Sequence, residues 1–349
     1  MNSFSSILID WYNKEKRDLP WRKTKDPYKI WLSEIILQQT RVDQGLSYYE
    51  RFITHYPKVE DLAAANQDEI LRLWQGLGYY SRARNLHFTA QHIVNELKGE
   101  FPNSYKEIIK LKGVGEYTAA AIASFSFKEP VPVLDGNVFR VIARCFGIKN
   151  DIAQSSSRKI FIELLNELID TKRPDTFNQA IMEFGAMQCT PKKPNCNSCT
   201  ISHLCYAFKH QKQNELPVKI KKIKRKSRFF NYYLLTHQNK IKLSKRGEAD
   251  IWAGLYEFEL IESTTSLLDK TPHEITSEAI KIHAFEPEKK HVLSHQDIFS
   301  QFTIVKVKLP ISTSDFYSLD EIEQLPKPIQ IEKFIQREFS KIIELVNVD

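Results

Sequence analysis

The chain has 349 residues and a mass of 40.8 kDa; 42% of its residues are hydrophobic, 27% are charged, and it has 11 glycines and 15 prolines. This length predicts two domains, and the composition is that of a globular protein, which excludes collagen-like and wholly disordered chains. The net charge is +7, and nine Lys or Arg against one Glu fall between Lys209 and Arg228, so the remainder of the chain is close to neutral.

The first half of the chain is predicted to be helical, because apolar residues recur at spacings of three and four. The clearest predicted helices span 28–40, 69–74, 81–97, 105–111, 117–125, 138–145, 159–169 and 177–187. Strands are predicted at 229–236 and 240–243, which are rich in β-prone residues, and at 302–309, where apolar and polar residues alternate. A helix is predicted to close the chain at 331–346. We therefore predict an all-α domain at 1–208, a basic linker at 209–227 and an α+β domain at 228–349.

The basic linker is either a solvated connection or a segment that contacts phosphates, since polyanion binding in a nearly neutral chain requires local clustering of charge. No uninterrupted apolar stretch approaches the ~20 residues that cross a bilayer, and the N-terminal charges follow the apolar residues, opposite to a secretory signal. We therefore expect a cytoplasmic monomer without membrane association, at the nucleoid if the source is bacterial.

Four of the five cysteines fall within 17 residues, in the pattern C-x6-C-x2-C-x5-C. Because intracellular proteins rarely keep disulfides, this cluster predicts a metal site, either tetrahedral zinc or a cubane 4Fe-4S cluster. Zinc sites usually show two C-x2-C pairs and this chain has one, but the residues alone leave the metal open. In the loop before the pair, Lys192 and Lys193 either contact a DNA phosphate or are merely solvated. The four cysteines are Cys189, Cys196, Cys199 and Cys205.

Glycine is rare in this chain, so the paired glycines of the sequence LKGVG at 111–115 are informative. Gly113 and Gly115 lie between two predicted helices and allow a tight hairpin whose backbone N–H groups bind an anion such as a DNA phosphate. A simple interhelical turn is the alternative. Downstream, Asp135 opens a predicted helix, where a plain N-cap would also explain it.

The order of hairpin, aspartate and four cysteines resembles the endonuclease III superfamily of DNA glycosylases. Within it, the sequence WLSEIILQQT at 31–40 is similar to the signature of the adenine DNA glycosylases, the MutY family, in which Glu34 matches the catalytic acid and Asp135 the essential aspartate. The resemblance implies a helix-hairpin-helix domain in which the four cysteines hold one 4Fe-4S cluster for structure and DNA binding. It further implies base excision repair of adenine opposite 8-oxoguanine or guanine in duplex DNA.

The resemblance also implies a mechanism. Glu34 would protonate adenine, and Asp135 would stabilise positive charge on the sugar or attack it in a retaining reaction, with Tyr117 and Asn137 assisting. Apolar neighbours on the same helix are expected to raise the pKa of Glu34, a surface glutamate being the alternative. Tyr117 stands where bifunctional relatives carry a lysine that forms a Schiff base, so we expect a monofunctional enzyme.

Other segments match the parts of this family that hold the base and the duplex. Gln39 and Tyr79 correspond to intercalating positions, a core aromatic being the alternative for Tyr79. The residues expected to hold adenine are Arg17, Trp21, Leu37 and Glu183.

The C-terminal domain of this family resembles a Nudix fold and inspects 8-oxoguanine. Two segments match it, at 251–258 and in the sequence HVLSH at 291–295, where Leu293 replaces the usual phenylalanine. The histidines capping a buried strand are the alternative. The sequence has no glutamate-rich Nudix box, so we expect no pyrophosphate hydrolysis. The residues expected to contact 8-oxoguanine are His291, Leu293, Ser294 and His295.

Two other functions compete with adenine excision. An endonuclease III-like pyrimidine glycosylase and lyase is disfavoured by Tyr117 and by the extra domain. A non-catalytic module that binds lesions would use the hairpin and the cysteine cluster alone.

Overall fold

The computed structural model describes residues 3–220, 225–276, 279–288, 290–308 and 315–347, and the chain divides into two compact units. The N-terminal unit comprises Met1–Ala64 and Asn85–Lys221, and the C-terminal unit comprises Ala65–Arg84 and Lys222–Asp349. The segment Ala65–Arg84 thus joins a unit whose other residues come much later in the chain. The domain boundaries predicted from the sequence, at 208 and 228, instead placed this segment in the all-α domain.

The N-terminal half of the chain is helical, as the apolar periodicity predicts. Short 3-10 turns occur at Pro20–Arg22 and Ser202–Leu204. The predicted helices are all present, with ends that differ by a few residues, and the sequence did not predict α1, α3, α4 and α12. The α-helices up to residue 209 are α1 Ser3–Glu15, α2 Pro27–Leu37, α3 Val42–His55, α4 Val59–Ala64, α5 Gln67–Trp74, α6 Ser81–Glu96, α7 Tyr105–Ile108, α8 Glu116–Phe127, α9 Gly136–Phe146, α10 Ser155–Leu168, α11 Pro174–Met187 and α12 Tyr206–Lys209.

The N-terminal unit is organised around α8, the apolar helix that follows the glycine hairpin. Its residues from Thr118 to Phe125 are all buried, as expected for a helix that is apolar on every side. Helices α2, α7 and α11 pack against α8, and α11 also packs against α1 and α9. The ends of α2, α8, α9 and α11 can therefore contribute side chains to one site.

The C-terminal unit contains a mixed β-sheet with the strand order β6-β8-β1-β2-β9, in which β5 also pairs with β1 and β7 with β8. Strands β3 and β4 form a separate pair. The two long strands β1 and β8 are parallel, in a register that aligns Tyr232 with Phe302. The strands are β1 Lys226–His237, β2 Lys240–Lys242, β3 Ser244–Lys245, β4 Tyr256–Glu257, β5 Glu259–Ser263, β6 Ala279–Ala284, β7 His291–Val292, β8 Gln296–Val307 and β9 Phe316–Tyr317.

Three helices complete this unit: α13 His273–Thr276, α14 Leu319–Gln324 and α15 Ile329–Asn347. Helix α15 packs against β8, with the ring of Phe334 stacked on that of Phe302 at 3.8 Å. The predicted strands and the closing helix are present, although Leu309, the predicted end of the last strand, lies outside the described residues. No helix in the described ranges is both long and apolar enough to cross a bilayer.

The segment Ala65–Arg84 is bound to the rest of the C-terminal unit by polar contacts. Asp68 forms an ion pair with Lys245 at 2.8 Å, and the Arg84 guanidinium donates to the carbonyl oxygen of Ala253 at 2.6 Å. These contacts join the start of α5 to β3, and the start of α6 to the loop before β4. They explain why this helical segment belongs to the α+β unit.

Candidate active site

Side chains from distant parts of the N-terminal unit line one cavity of about 200 Å³. Glu34 comes from α2, and Asp135 stands immediately before α9. The structure therefore brings together every residue that the sequence assigned to catalysis or to the adenine pocket. Besides Glu34 and Asp135, these residues are Tyr117, Asn137, Arg17, Trp21, Leu37 and Glu183.

Glu34 is buried because α2 is enclosed on nearly every side. The helix begins at the N-cap Asp26, whose Oδ1 accepts a 2.9 Å hydrogen bond from the Tyr28 N–H. Only 6% of Glu34 is exposed, which excludes the alternative of a surface glutamate. Burial raises the pKa of Glu34 to about 7; the negative charge of Asp135 also raises it, and a hydrogen bond with the Tyr117 hydroxyl opposes the rise. A carboxyl group with this pKa is partly protonated near neutral pH and can donate a proton.

Asp135 is the N-cap of α9, and both of its carboxylate oxygens are held. Its Oδ1 accepts from the Val138 N–H at 2.8 Å, and its Oδ2 accepts from Nδ2 of Asn137 at 2.8 Å. Burial raises the pKa of Asp135, while these two hydrogen bonds oppose the rise. The residue therefore has the capping role that its position in the sequence suggests, and it also lines the cavity.

Asn137 is positioned in turn by Arg140, a buried arginine that the sequence did not single out. Nη2 of Arg140 donates to Oδ1 of Asn137 at 2.9 Å and to the Gly185 carbonyl oxygen at 2.6 Å. Its Nε donates to the carbonyl oxygen of Cys189 at 2.6 Å. The guanidinium group of Arg140 therefore links Asn137, the partner of Asp135, to Cys189, the first of the four clustered cysteines. In the sequence, the only signal for this contact was that Arg140 follows Asn137 by three residues, a spacing that places both on one face of a helix.

Tyr117 lies at the beginning of α8, beside Glu34. Its hydroxyl donates a hydrogen bond to Sδ of Met182 at 3.7 Å, and it is close enough to the Glu34 carboxyl to lower the pKa of that group. Burial raises the pKa of Tyr117 well above its ordinary value, so the side chain stays a neutral phenol. This position therefore supplies a hydroxyl group that can donate a hydrogen bond, and no amine.

Glu183 is held by two arginines. Its Oε1 accepts from Nε of Arg17 at 2.8 Å and from Nη1 of Arg22 at 2.9 Å, and its Oε2 accepts from both Nη2 atoms at 2.6 and 2.7 Å. Burial by itself would raise the pKa of Glu183, but these hydrogen bonds outweigh it and lower the pKa to about 2. The sequence assigned both Glu183 and Arg17 to the adenine pocket but did not predict that they form an ion pair, and it did not single out Arg22. The segment LPWR at 19–22 was the available signal.

Trp21 and Leu37 form apolar walls of the cavity. The ring of Trp21 packs edge-on against Tyr49 at 5.2 Å. Leu37, the last residue of α2, lies over Gly45 of α3, where an added Cβ would stand 2.7 Å from the leucine methyl group. Close packing of α3 against α2 therefore fixes the position of this wall.

The glycine hairpin lies between α7 and α8. Gly113 has a φ of +79°, and a Cβ there would stand 2.7 Å from Cβ of Asn85. Gly115 is the N-cap of α8, and a Cβ there would meet open space. Both glycines are exposed, so the N–H groups at the start of α8 are accessible to an anion. The structure thus shows the turn between helices, and the anion site at the same glycines stays a prediction.

The residues predicted to intercalate, Gln39 and Tyr79, belong to different units. Gln39 is exposed just after α2, with a φ of +57°. Tyr79 is 43% exposed with a φ of +48°, so it is not a core aromatic. Its hydroxyl forms a hydrogen bond with the Ser294 hydroxyl in the same unit.

The residues predicted to contact 8-oxoguanine share a cavity of about 440 Å³ in the C-terminal unit with Tyr79 and Trp252. The backbone of Trp252 has a φ of +60°, and its ring lies 6.2 Å from that of His291. Burial lowers the pKa of His291, which favours the neutral imidazole. The residues of the predicted recognition loop that line this cavity are His291, Leu293, Ser294 and His295.

The four clustered cysteines line a second cavity in the N-terminal unit, together with Cys145. The loop before the C-x2-C pair is tied to α9 by Arg144, which donates to Sγ of Cys189 at 3.4 Å and to the Thr190 carbonyl oxygen at 2.7 Å. Within the described ranges, no three His, Cys, Asp or Glu side chains are arranged to hold a single metal ion. Lys192 and Lys193 are exposed in the same loop. Four thiols around one space fit the donor chemistry of an iron–sulfur cluster.

Comparison with known proteins relates both units to described families. Residues 32–167 match the model of the HhH-GPD superfamily of base excision DNA repair proteins, and residues 231–337 match the NUDIX domain model. The chain is 33% identical over 347 residues to an adenine DNA glycosylase of Buchnera aphidicola subsp. Schizaphis graminum, covering 94% of this chain and 96% of that protein. It is 39% identical over 291 residues to an adenine DNA glycosylase of Arabidopsis thaliana, covering 72% of this chain and 46% of that protein.

Among solved structures, the chain resembles a thermostable thymine-DNA glycosylase. The sequence identity is 33% and the TM-score is 0.55, with 59% of this chain and 95% of that chain covered.

Proposed function

This chain belongs to the adenine DNA glycosylase family, and on that premise we propose that it removes adenine mispaired with 8-oxoguanine or guanine in duplex DNA. The observation that carries the proposal is that Glu34 and Asp135, from separate helices, face one cavity of about 200 Å³. A space of this kind accepts a base that has been rotated out of the helix. The product is an abasic site, which places the enzyme at the start of base excision repair.

Adenine is a poor leaving group, so cleavage of its glycosidic bond requires a proton on the departing base. Glu34 supplies that proton to N7 of adenine, and it can do so because its pKa of about 7 leaves it partly protonated under ordinary conditions. The hydrogen bond from Tyr117 orients the carboxyl group toward the cavity. After the base has left, the same carboxylate can accept a proton from an attacking water molecule.

Departure of the base leaves positive charge on the sugar, and Asp135 faces that charge as a carboxylate. Its two fixed oxygens allow it to act as an electrostatic stabiliser or as a transient nucleophile at C1′. Asn137 holds Asp135 in this orientation. Since residue 117 is a tyrosine, no amine is available there for a Schiff base, and the enzyme is expected to be monofunctional.

DNA binding is assigned to the exposed hairpin and to the residues that replace the extruded base. Extrusion costs a few kcal/mol and leaves a gap in the duplex. Gln39 and Tyr79 are exposed and fit this task, while the N–H groups of Gly113 and Gly115 contact a phosphate. The exposed lysines of the cysteine loop, Lys192 and Lys193, add further phosphate contacts.

The four clustered cysteines are proposed to hold one 4Fe-4S cluster. The four residues line a shared cavity, and their spacing, with a single C-x2-C pair where zinc sites usually have two, favours a cluster over zinc. When bound, such a cluster would supply a rigid link between the four cysteines and so hold the segment 189–205 in one conformation. Cys189, Cys196, Cys199 and Cys205 would then fix the loop that carries the two lysines.

Recognition of 8-oxoguanine is assigned to the C-terminal unit. His291, Leu293, Ser294 and His295 line one cavity with Tyr79, and the Ser294 hydroxyl bonds to the hydroxyl of that proposed wedge residue. Leucine at 293 contributes apolar contact without an aromatic ring. Polar contacts to the lesion therefore come from the serine and the histidines.

The proposal is tested with a duplex that contains one 8-oxoguanine:adenine pair, treated with alkali after incubation to break abasic sites. We expect strand breakage at the adenine only. In parallel duplexes that carry an oxidised pyrimidine or a thymine in place of that adenine, breakage at the oxidised pyrimidine would select an endonuclease III-like activity, and breakage at the thymine would select the activity named for the thymine-DNA glycosylase that this chain resembles. Stable binding without breakage would indicate a lesion-binding module.

A further inference from the structure

The segment between α2 and α3 contains a strained turn whose conformation the mechanism above leaves unexplained. The Thr40 N–H donates to the Leu37 carbonyl oxygen at 3.1 Å, which closes a turn of four residues. Gln38 has a φ of −56° and a ψ of 113°, and Gln39 has a φ of +57°. These angles are those of a type II turn, whose third residue is usually glycine. An exposed glutamine therefore occupies a left-handed backbone position that favours glycine.

Gln38 anchors this turn to the centre of the N-terminal unit. Its Nε2 donates to Oγ1 of Thr118 at 3.2 Å, and Thr118, a residue of α8, is only 2% exposed. The Gln38 carbonyl oxygen accepts from the Thr40 hydroxyl at 3.4 Å. These contacts hold the peptide group between Gln38 and Gln39 on both sides. They oppose its rotation to the type I form, in which Gln39 would have a negative φ.

A strained backbone persists only where the surrounding structure holds it, and such positions cluster at functional sites. In this turn the strain fixes the direction in which an exposed side chain leaves the protein. A side chain that fills the gap left by an extruded base benefits from this, because ordering a loop during DNA binding costs affinity. Thr118 follows Tyr117 in α8, so the same contact fixes the turn relative to a helix that lines the catalytic cavity.

We infer that Gln38 is the positioning residue of Gln39: through its hydrogen bond to Thr118 it holds the left-handed turn that presents Gln39 to the duplex. The inference rests on the proposed function, in which Gln39 replaces the extruded adenine, and it adds the two residues that set the position of this side chain. Neither Gln38 nor Thr118 is among the described residues that line the catalytic cavity. They act on extrusion of the base and not on the bond that breaks.

The test measures single-turnover release of adenine opposite 8-oxoguanine, with the enzyme in saturating excess over the duplex. Gln38→Leu and Thr118→Val remove the two ends of one hydrogen bond and keep side chains of similar size. Each should slow release about threefold to tenfold, because one hydrogen bond no longer holds the turn. The double variant should be within about twofold of either single variant, since both changes remove the same contact.

Dependence on Gln39 separates a positioning role from a general loosening of the fold. Gln39→Ala removes the intercalating side chain and should itself slow release. In that background Gln38→Leu should slow release by less than about twofold further, because a positioning residue acts only through the side chain that it positions. General loosening would instead slow release by the same factor whether or not the Gln39 side chain is present.

The strain in the turn is tested separately by thermal unfolding. Gln39→Gly should melt about 2–4 °C above Gln39→Ala, because glycine accepts the left-handed conformation without strain while both variants lack the amide side chain. Equal melting temperatures would overturn the left-handed turn on which the inference depends.

Ser124→Ala is the matched control for Thr118→Val. Ser124 is also buried in α8, and its hydroxyl also accepts from a side-chain amide, that of Asn178, at 2.8 Å. This variant should release adenine within about twofold of the parental rate, because the bond that it loses does not hold the turn. A loss as large as that in Thr118→Val would show that any buried hydroxyl of α8 has this effect, and would overturn the inference.

The outcomes distinguish this inference from the proposed function. If the parent releases no adenine, the proposed function fails. If the parent releases adenine but Gln38→Leu is as fast as the parent, or slows release equally with and without the Gln39 side chain, the positioning role is overturned and adenine excision stands. Release by Gln39→Ala at the parental rate would likewise overturn the positioning role and leave adenine excision in place.

Discussion

Replacing Glu34 by glutamine should stabilise the protein while it abolishes base release. The ordinary pKa of a glutamate is 4.5, and burial raises that of Glu34 to about 7, so the folded state prefers the protonated form. The stability that depends on protonated Glu34 is therefore fully present below the pKa of the unfolded state, and it is lost as pH rises through the pKa of the folded state. A rise from 4.5 to about 7 corresponds to about 3 kcal/mol, fully expressed above about pH 7.

Glutamine keeps the carbonyl oxygen that accepts from Tyr117 and has no charge to bury, so Glu34→Gln should recover this energy. The gain should be below about 1 kcal/mol near pH 5 and reach about 3 kcal/mol near pH 8. Urea unfolding followed by far-ultraviolet circular dichroism measures it, since the helices lie mainly in the N-terminal unit. Glu167→Gln, which removes an exposed carboxylate of α10, is the control and should show no such trend.

The same variant should bind the mispaired duplex with nearly parental affinity and release no adenine. A gain in stability that stays constant with pH to within about 0.5 kcal/mol would refute the buried, proton-retaining carboxyl. Parental turnover in Glu34→Gln would remove this residue from the mechanism, whatever its effect on stability.

Four further outcomes follow from the structure. Asp135→Asn should slow single-turnover adenine release about 100-fold or more, because the charge opposite the sugar is lost while an oxygen remains to cap α9; an unchanged rate would exclude the electrostatic role. Glu183→Gln should destabilise the protein by about 3–5 kcal/mol near neutral pH, since it leaves Arg17 and Arg22 without their buried anion. Because the pKa of Glu183 is lowered from 4.5 to about 2, the stability that its carboxylate provides is lost as pH falls below 4.5. Urea unfolding should therefore show that the parent and Glu183→Gln become closer in stability in acid, and a difference that stays constant with pH would contradict this account. Gly113→Ala should lower the free energy of unfolding by about 1–2 kcal/mol and weaken DNA binding, whereas Gly115→Ala should keep parental stability. If both variants lowered the melting temperature equally, this would argue against the left-handed turn at Gly113. Cys199→Ser should lose the iron content and brown colour of the purified protein, and Cys145→Ser should retain both; colour retained in Cys199→Ser would exclude that cysteine as a ligand.

The helical half of the fold was predictable because its pattern is local. Apolar spacing located α2, α8, α9 and α11 to within a few residues, and Asp26 and Asp135 cap the helices that follow them. The sheet was less accessible, because strand pairing joins segments that are far apart in sequence. Nothing in the apolar pattern of β1 or β8 indicates that these strands are parallel. The placement of Ala65–Arg84 in the C-terminal unit depends on ion pairs such as Asp68 with Lys245, which sequence spacing does not report.

The site divides in the same way. By itself the sequence indicated which residues are candidates for the chemistry, because an acid within an apolar helix, an aspartate at a helix start and four close cysteines resemble the short motifs of one glycosylase family. Only the tertiary structure decided that Glu34 and Asp135 face one cavity and that Arg17 and Arg22 neutralise Glu183. The physical reason is that pKa values and hydrogen-bond orientation depend on burial and on neighbours within a few ångströms. Those neighbours come from helices whose proximity is set by the packing of the whole unit.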